Sequence, residues 1–523
     1  MARHLVYLAA LLVTGVCAAL TFTDTRWAWG LTLALPLALL GTWDIAQRQH
    51  ALMRNYPLIG RLRWLFESIR PQIQQYFVND DLNGTPFNRV QRSIVYARAK
   101  GDDDFAPFGT KGDVYAAGFE WVEHAIMPKD LCEAPRVRVG SSQCVQPYAA
   151  SLLNISAMSF GALGANAIRA LNLGAREGGF AHDTGEGGIS PHHRQGGDLI
   201  WELGTGYFGC RAGDGGFDPV EFAKRSTDVH VRMIEIKLSQ GAKPGHGGIL
   251  PGAKVTAEIA ATRGVPVGRD CISPARHRAF STPLEMLDFV KQLRELSGGK
   301  PVGIKLCIGH PWEFLGICRA MVETKTHVDF VVVDGKEGGT GAAPEEFSNS
   351  VGMPLREGLL FVRNALVGLG LKDQVRIAAS AKVVTGFDML RNLALGADWC
   401  NAARPFMFAL GCLQSRRCHL GTCPTGVATQ DPLRQRGLDV EDKARRVARY
   451  HAQTLKHLME LVAAAGLEAP SALRPEHVHR RLDTMGTRTF ANTYSFLEPG
   501  ELLEGSRNPW YADHWRRATA EAF

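Results

Sequence analysis

Residues 376–426 read RIAASAKVVTGFDMLRNLALGADWCNAARPFMFALGCLQSRRCHLGTCPTG. The first half has the form of a strand, a polar turn containing Gly386, an amphipathic helix over 387–395 and a second strand ending at Arg404-Pro405. Two strands joined through a helix lie parallel, because a hairpin turn only returns the chain antiparallel. The second half places Cys412, Cys418 and Cys423 in one short basic segment interrupted by Gly, Thr and Pro.

Upstream the same alternation repeats. Apolar runs at 152–157, 180–184, 231–237, 268–273, 302–307, 330–334, 376–379 and 399–403 read as strands. Three- and four-residue apolar spacing marks helices at 165–177, 283–296, 311–324, 355–369 and 387–395. Strands alternating with helices over about 250 residues predict an α/β fold, a closed (β/α)8 TIM barrel. The barrel is expected over 151–432, with a juxtamembrane and barrel-bracing region over 48–150 that covers one end, and a small helical extension and tail over 433–523. Within the bracing region, 56–78 reads as an amphipathic helix pair and 119–124 and 136–139 as strands.

The runs 5–22 and 28–43 carry no charge, and each approaches the roughly 17–20 residues that cross a hydrocarbon core. Arg3 precedes the first, while Arg48, Arg54, Arg61 and Arg63 follow the second, and Trp27, Trp29 and Trp43 suit the interface. A transmembrane helical hairpin over 1–47 is therefore expected. It would pass twice through the inner (cytoplasmic) membrane and leave the body in the cytoplasm. A signal peptide is the competing reading, but the first run lacks a convincing small-residue cleavage site.

At 45% hydrophobic and 21% charged residues, the chain can bury a large core, which excludes a disordered class. The net charge of +7 gathers near the N-terminus without a basic stripe interleaved with aromatics, so no nucleic-acid partner is expected. Cys271, Cys307, Cys318 and Cys400 lie singly in apolar runs and read as inert core thiols rather than a disulfide scaffold.

In a (β/α)8 barrel the site lies where the strands end. There the sequence has Met158-Ser159, Gly185-Glu186, 240–245 (QGAKPG), Gly338-Gly339-Thr340, and Ser380 with Lys382. The loops after the last two strands are the usual phosphate site of such barrels, and here Lys382 and Arg404 supply a cation on each, with Gly386 opening a helix. This stretch resembles the closing segment of FMN-dependent barrel oxidoreductases, although Ala403 and Ser380-Ala381 stand where those have glycines. Lys305, in PVGIKLC, must find a partner in its apolar strand or lose its charge. Aimed at a flavin's pyrimidine edge it would stabilise the anion formed on reduction; the alternative is a core lysine paired with Glu235 or Asp334. Lys237, in MIEIKLSQ, carries the same two readings.

The three clustered cysteines do not share one helical face, so a winding loop is needed to converge them. Zinc would want a fourth ligand, and His419 directly follows Cys418, which makes joint ligation awkward. Three thiolates suit a three-iron cluster, with Arg416 and Arg417 offsetting its charge.

The segment CLQSRRCHLGTCPTGVATQD resembles the cluster loop of glutamate synthase, and SAMSFGALG, TGEGG, EIKLSQGAKPGHGG, CISPARH, VGIKL and DGKEGGTGAAP follow the same family in order over 151–432. The resemblance, to a membrane-anchored stand-alone form of the FMN-binding synthase domain, implies FMN and a [3Fe-4S] cluster, the latter on Cys412, Cys418 and Cys423. It implies an enzyme that aminates 2-oxoglutarate, or a related 2-oxo acid, to L-glutamate. Met158, Ser159, Gly185, Glu186, Lys305, Gly338, Gly339, Thr340, Ser380, Lys382, Gly386 and Arg404 would hold the cofactor. Lys305, Glu235 and Lys237 would serve the chemistry, with Glu235 on the ammonia-facing side.

Glutamate synthases make ammonia in a glutaminase domain. Here an apolar hairpin is read instead, so ammonia is expected from outside, through a separate glutaminase-like subunit. With no dinucleotide fingerprint, the electron donor is expected to be external, ferredoxin-like or a reductase subunit. The rival functions are a membrane-tethered flavin dehydrogenase exchanging electrons with quinone, and a non-catalytic scaffold.

Overall fold

The computed structural model describes residues 2–523, which divide into two units, one reaching to Arg89 and one running from Val90 to Phe523.

In the first unit, Leu5–Thr21 and Ala28–Ala46 pack antiparallel. Tyr7 Oη lies 2.9 Å from Thr42 Oγ1, and a Cβ at Gly41 would overlap the Tyr7 ring, so the glycine permits the close approach. Their outer faces expose Leu12, Leu33, Leu39 and Trp29. Thr25–Ala46 is long and apolar enough to cross a membrane; Leu5–Thr21, at 17 residues, is shorter. The expected helix pair at 56–78 is instead one helix, Gly60–Ile73, running into a π-helical turn, Gln74–Val78. Pro71 falls inside that helix rather than ending it.

The second unit is a closed eight-stranded parallel barrel with surrounding helices. Its strands are β1 Leu153–Ile155, β2 Ala181–Asp183, β3 Asp198–Leu203, β4 Val231–Lys237, β5 Val302–Leu306, β6 Phe330–Asp334, β7 Arg376–Ser380 and β8 Trp399–Ala402. One predicted strand is corrected. Residues 268–273 lie outside the barrel, where Cys271–Ile272 pairs with Ile249–Leu250 in a ribbon within the loop after β4. The missing strand is β3, DLIWEL, whose apolar run is interrupted by Asp198 and Glu202.

Side chains alternate along a strand, so residues two apart share a face. Ala181, Ile200, Met233, Val332, Ala378 and Trp399 form one apolar interior layer with Phe330. Two residues further along each strand stand Asp183, Glu202, Glu235, Asp334, Ser380 and Asn401. The barrel axis is thus apolar below and polar above. An antiparallel hairpin, Val137–Val139 with Tyr148–Ala150, places Val139, Tyr148 and Ala150 against the apolar layer and covers the end where the strands begin.

The C-terminal region is not simply helical. Val440–Ala464 packs along Ala165–Gly178, but Val478–Arg481 then joins Glu120–Val122 and Thr487–Thr489 in a three-stranded antiparallel sheet. Alternation too short to show a period explains why these strands read as tail.

Candidate active site

The polar layer is a buried charge network. Strand register sets Glu202 beside Glu235 and Lys237 beside Lys305. Lys305 Nζ lies 2.7 Å from Glu202 Oε2 and 3.7 Å from Glu235 Oε1; Lys237 Nζ lies 2.8 Å from Glu186 Oε2 and 3.9 Å from Glu202 Oε1. Burial alone would discharge Lys305, but the carboxylates of Glu202, Glu235 and Asp183 outweigh it and hold its pKa well above the usual lysine value. Burial likewise opposes the charge on Glu186, yet Lys237 beside it brings its pKa down to about 2. Glu235 goes the other way, raised well above the carboxylate range by burial and by the neighbouring Asp183 charge. The same two influences, burial and then Glu202, lift Asp183 to about 7. Oxygens of Asp183, Glu202 and Glu235 all lie within 4.8 Å of one another.

Loops draw together above this layer. Gly241 N–H donates to Asp334 Oδ2 at 2.9 Å, and a Cβ at Gly241 would overlap the Gly335 carbonyl oxygen, so the loops after β4 and β6 touch backbone to backbone. Gly185 packs against the backbone of Met158 and Ser159, where a Cβ would stand 2.6 Å from Ser159 N. Arg263, from a helix in the β4–β5 connection, donates to Ser159 Oγ at 3.2 Å and Phe160 O at 3.0 Å. Lys243, from the same connection, is buried, and that burial lowers its pKa.

At the end of β7, Ser380 Oγ is buried 3.3 Å from Ser156 Oγ, and Lys382 adopts a left-handed φ of 47°. Arg404, following β8, donates to the Thr340 carbonyl and lies across Gly339, where a Cβ would meet its Nε at 2.7 Å. Gly338, Gly339, Thr340 and Arg404 are therefore one neighbourhood. Gly386 is not in it: a Cβ there would meet Leu458 N at 2.6 Å, so its missing side chain serves packing on the long C-terminal helix. The first turn of its helix is already capped, since Thr385 Oγ1 accepts from Asp388 N and the Asp388 carboxylate accepts from Thr385 N. These bonds satisfy the Thr385 and Asp388 N–H groups.

The cysteine loop follows Arg404 directly. Cys412 and Cys423 are buried and Cys418 is half-buried, all with free thiols. Tyr96 Oη donates to Cys412 O at 2.6 Å, Lys254 Nζ to Cys418 O at 3.2 Å, and Gln430 Nε2 to Leu163 O at 3.0 Å, which ties the loop to its surroundings. Arg404 Nη1 stands 4.0 Å from Cys418 Sγ. Burial pushes the Cys412 thiol up to about 11. At Cys423 burial is outweighed by the Thr425 hydroxyl and by backbone N–H groups at Ala428, Thr425 and Val427, which hold the thiol below its usual value. Among the described residues, the Asp183, Glu202 and Glu235 set alone draws three ligand atoms within 4.8 Å.

A family model described as a conserved region in glutamate synthase matches residues 128–468. The chain belongs to the glutamate synthase family. As a member it is an oxidoreductase acting on CH–NH2 groups. It is 37% identical over 493 residues to the glutamate synthase large subunit-like protein YerD of Bacillus subtilis, covering 85% of this chain and 93% of that one. To the archaeal glutamate synthase (NADPH) of Methanocaldococcus jannaschii it is 37% identical, over 68% of this chain and 66% of the relative. To the archaeal-type glutamate synthase (NADPH) of Thermotoga neapolitana it is 34% identical, over 61% of this chain and 60% of the relative. The chain thus spans about two thirds or less of the length of these last two glutamate synthases.

Sequence reasoning missed Asp183, Glu202 and Arg263. Glu202 went unseen with its strand. The alternation of an apolar residue with an acid two positions on, repeated in Ala181/Asp183, Ile200/Glu202 and Met233/Glu235, is the signal that could have found both acids.

Proposed function

We propose that this glutamate synthase family member binds FMN and a [3Fe-4S] cluster, and aminates 2-oxoglutarate, or a related 2-oxo acid, to L-glutamate with ammonia supplied from outside the chain. The observation that carries the reading is the buried Lys305–Glu202–Glu235 network, opening toward the end of the barrel from which the cysteine loop departs.

The donor set fits the flavin. Arg404 and Lys382 stand on adjacent strand ends, where two cations can meet one phosphate dianion, and Arg404 lies across Gly339. Cys412, Cys418 and Cys423 fit a polynuclear cluster by their number and by the basic loop that carries them, with Arg404 Nη1 4.0 Å from Cys418 Sγ. When bound, FMN would supply hydride transfer and the cluster one-electron transfer from an external donor, ferredoxin-like or a reductase subunit. The chain's own groups do the rest. Arg404 and Lys382 would hold the phosphate, with Ser380 beneath and Met158 and Ser159 on the neighbouring strand end, after β1. Lys305, kept cationic by Glu202, would stabilise negative charge arising above the polar layer. Lys237 and Glu186 would orient the carbonyl substrate and its amine partner.

The apolar helices of the first unit would anchor this body to the inner membrane, with the barrel on the cytoplasmic side. Thr25–Ala46 supports that reading by length and composition. Protease protection in oriented vesicles tests it: a body cleaved only from outside would refute the orientation.

Purified protein should carry flavin absorbance and about three irons per chain, and should form glutamate from 2-oxoglutarate, ammonia and a chemical reductant. Absence of flavin would refute the cofactor reading. Bound flavin without glutamate formation would refute the substrate.

A further inference from the structure

The acids around Lys305 outnumber the cations that can reach them. Asp183 from β2, Glu202 from β3 and Glu235 from β4 converge within 4.8 Å, each 1% exposed or less. Lys305 from β5 gives Glu202 its short contact and stands 3.7 Å from Glu235. Lys237 is 3.9 Å from Glu202 but is held by Glu186 at 2.8 Å, and Asp334 from β6 adds a further acid facing Lys305. Asp183 accepts one backbone N–H, from Gly185 at 2.9 Å. Neither carboxylate oxygen of Glu235 has a donor in the network, although the side chain is fully buried.

Two ionised carboxylates are acceptors only and cannot bond to each other; with a proton between them they form a strong, short hydrogen bond. An unpaired buried anion costs several kcal/mol, and a group in that position neutralises instead. The Glu202/Glu235 register adds a like-charge pair that is unfavourable unless one member is neutral.

We infer that Asp183 and Glu235 share one proton as acid and conjugate base, and that this carboxyl pair is the proton store on which the Lys305 end of the barrel draws during turnover. The upward displacement of both groups agrees with the sharing. The store's role, though not the sharing, depends on the proposed reductive amination. Converting a 2-oxo acid and ammonium to an amino acid and water consumes two electrons, which the external donor provides, and two protons. A site closed off from water needs a local source for a proton, and the pair can give one up to become two carboxylates facing the Lys305 ammonium, then recover it from solvent between turnovers.

The test is infrared spectroscopy of the full-length protein in detergent, with and without flavin. The wild type should show the carbonyl stretch of a neutral carboxylic acid at pH 7, absent from Glu235→Gln and moved to lower pH in Asp183→Asn. Reduction of the bound flavin should shift or remove the band. A wild type without the band overturns the sharing, as does a band unmoved in both variants, which would belong to another acid such as Asp334. Loss of the band on adding magnesium would put a metal ion in the proton's place and overturn it too. A band indifferent to flavin reduction leaves the sharing intact and overturns the store. If the protein binds no flavin, the proposed function fails, and the spectrum of the flavin-free protein still decides the sharing. Should Glu235→Gln not fold, Asp183→Asn alone carries the comparison.

Discussion

Lys305 Nζ and Glu202 Oε2, brought together from β5 and β3, lie 2.7 Å apart inside the barrel. Removing either partner is not symmetrical. Lys305→Met leaves Asp183, Glu202 and Glu235 without their shared cation and should destabilise the chain by about 3–5 kcal/mol. Glu202→Gln should cost clearly less, because Glu235 stands 3.7 Å from the ammonium and can take it over. Chemical unfolding of the flavin-free protein checks the order; equal costs would show that Glu235 stays neutral in both.

Glu186 should mark the acid limb of the stability curve. Its folded pKa of about 2 lies below the ordinary carboxylate value of 4.5, so its stabilisation is complete above pH 4.5 and disappears as pH falls toward 2. At about 1.4 kcal/mol per unit the contribution is about 3 kcal/mol. The difference in unfolding free energy between wild type and Glu186→Gln should shrink across that window, and a constant difference would contradict the Lys237 pairing.

His182 predicts a second limb at milder pH. It is fully buried and neither ring nitrogen has a partner, so burial depresses its pKa from 6.5 to about 3. Its stabilisation is present above pH 6.5 and is lost as pH falls through that range. His182→Leu should flatten the loss between pH 6.5 and 4 in the same unfolding measurement.

Much of this architecture is readable from periodicity. The helices Pro283–Leu296 and Pro311–Thr324 carry apolar residues at regular spacing and begin with proline, so their limits stand where the pattern puts them. Strand β3 lies outside every predicted run, between 180–184 and 231–237, and Glu202 lies there with it. The carboxylate cluster escaped with it: Asp183, Glu202 and Glu235 lie far apart in the chain and meet only through barrel closure. Gly386 carries a packing constraint that the sequence alone does not show. A glycine opening a helix suggests anion binding, whereas contact with Leu458, over 70 residues on, requires it for packing.

Arg404 should matter to flavin affinity more than any single neighbour. A hydrogen bond to a charged group is worth about 1.5–3 kcal/mol, so Arg404→Ala should weaken FMN binding roughly ten- to a hundredfold. Arg404→Lys should restore only part, since an ammonium lacks the planar fork. Fluorescence titration of flavin-free protein reads both, and unchanged affinity in Arg404→Ala would move the phosphate elsewhere.

Cys423→Ser and Cys412→Ser should each lose iron and the electron paramagnetic resonance signal of the cluster, while Cys400→Ser, altered at a buried strand thiol, should keep both. Metal analysis that finds zinc at one per chain would replace the cluster reading.

The hairpin of Val139, Tyr148 and Ala150 beneath the barrel has one more consequence. With that end covered, the polar end of the barrel axis, where the strands finish, is the one left for exchange. On the proposed function, nitrogen donor, oxo acid and product would share that rim and take turns. An outside supplier of ammonia would have to dock on the side from which the cysteine loop departs, where it would compete for space with whatever delivers the electrons.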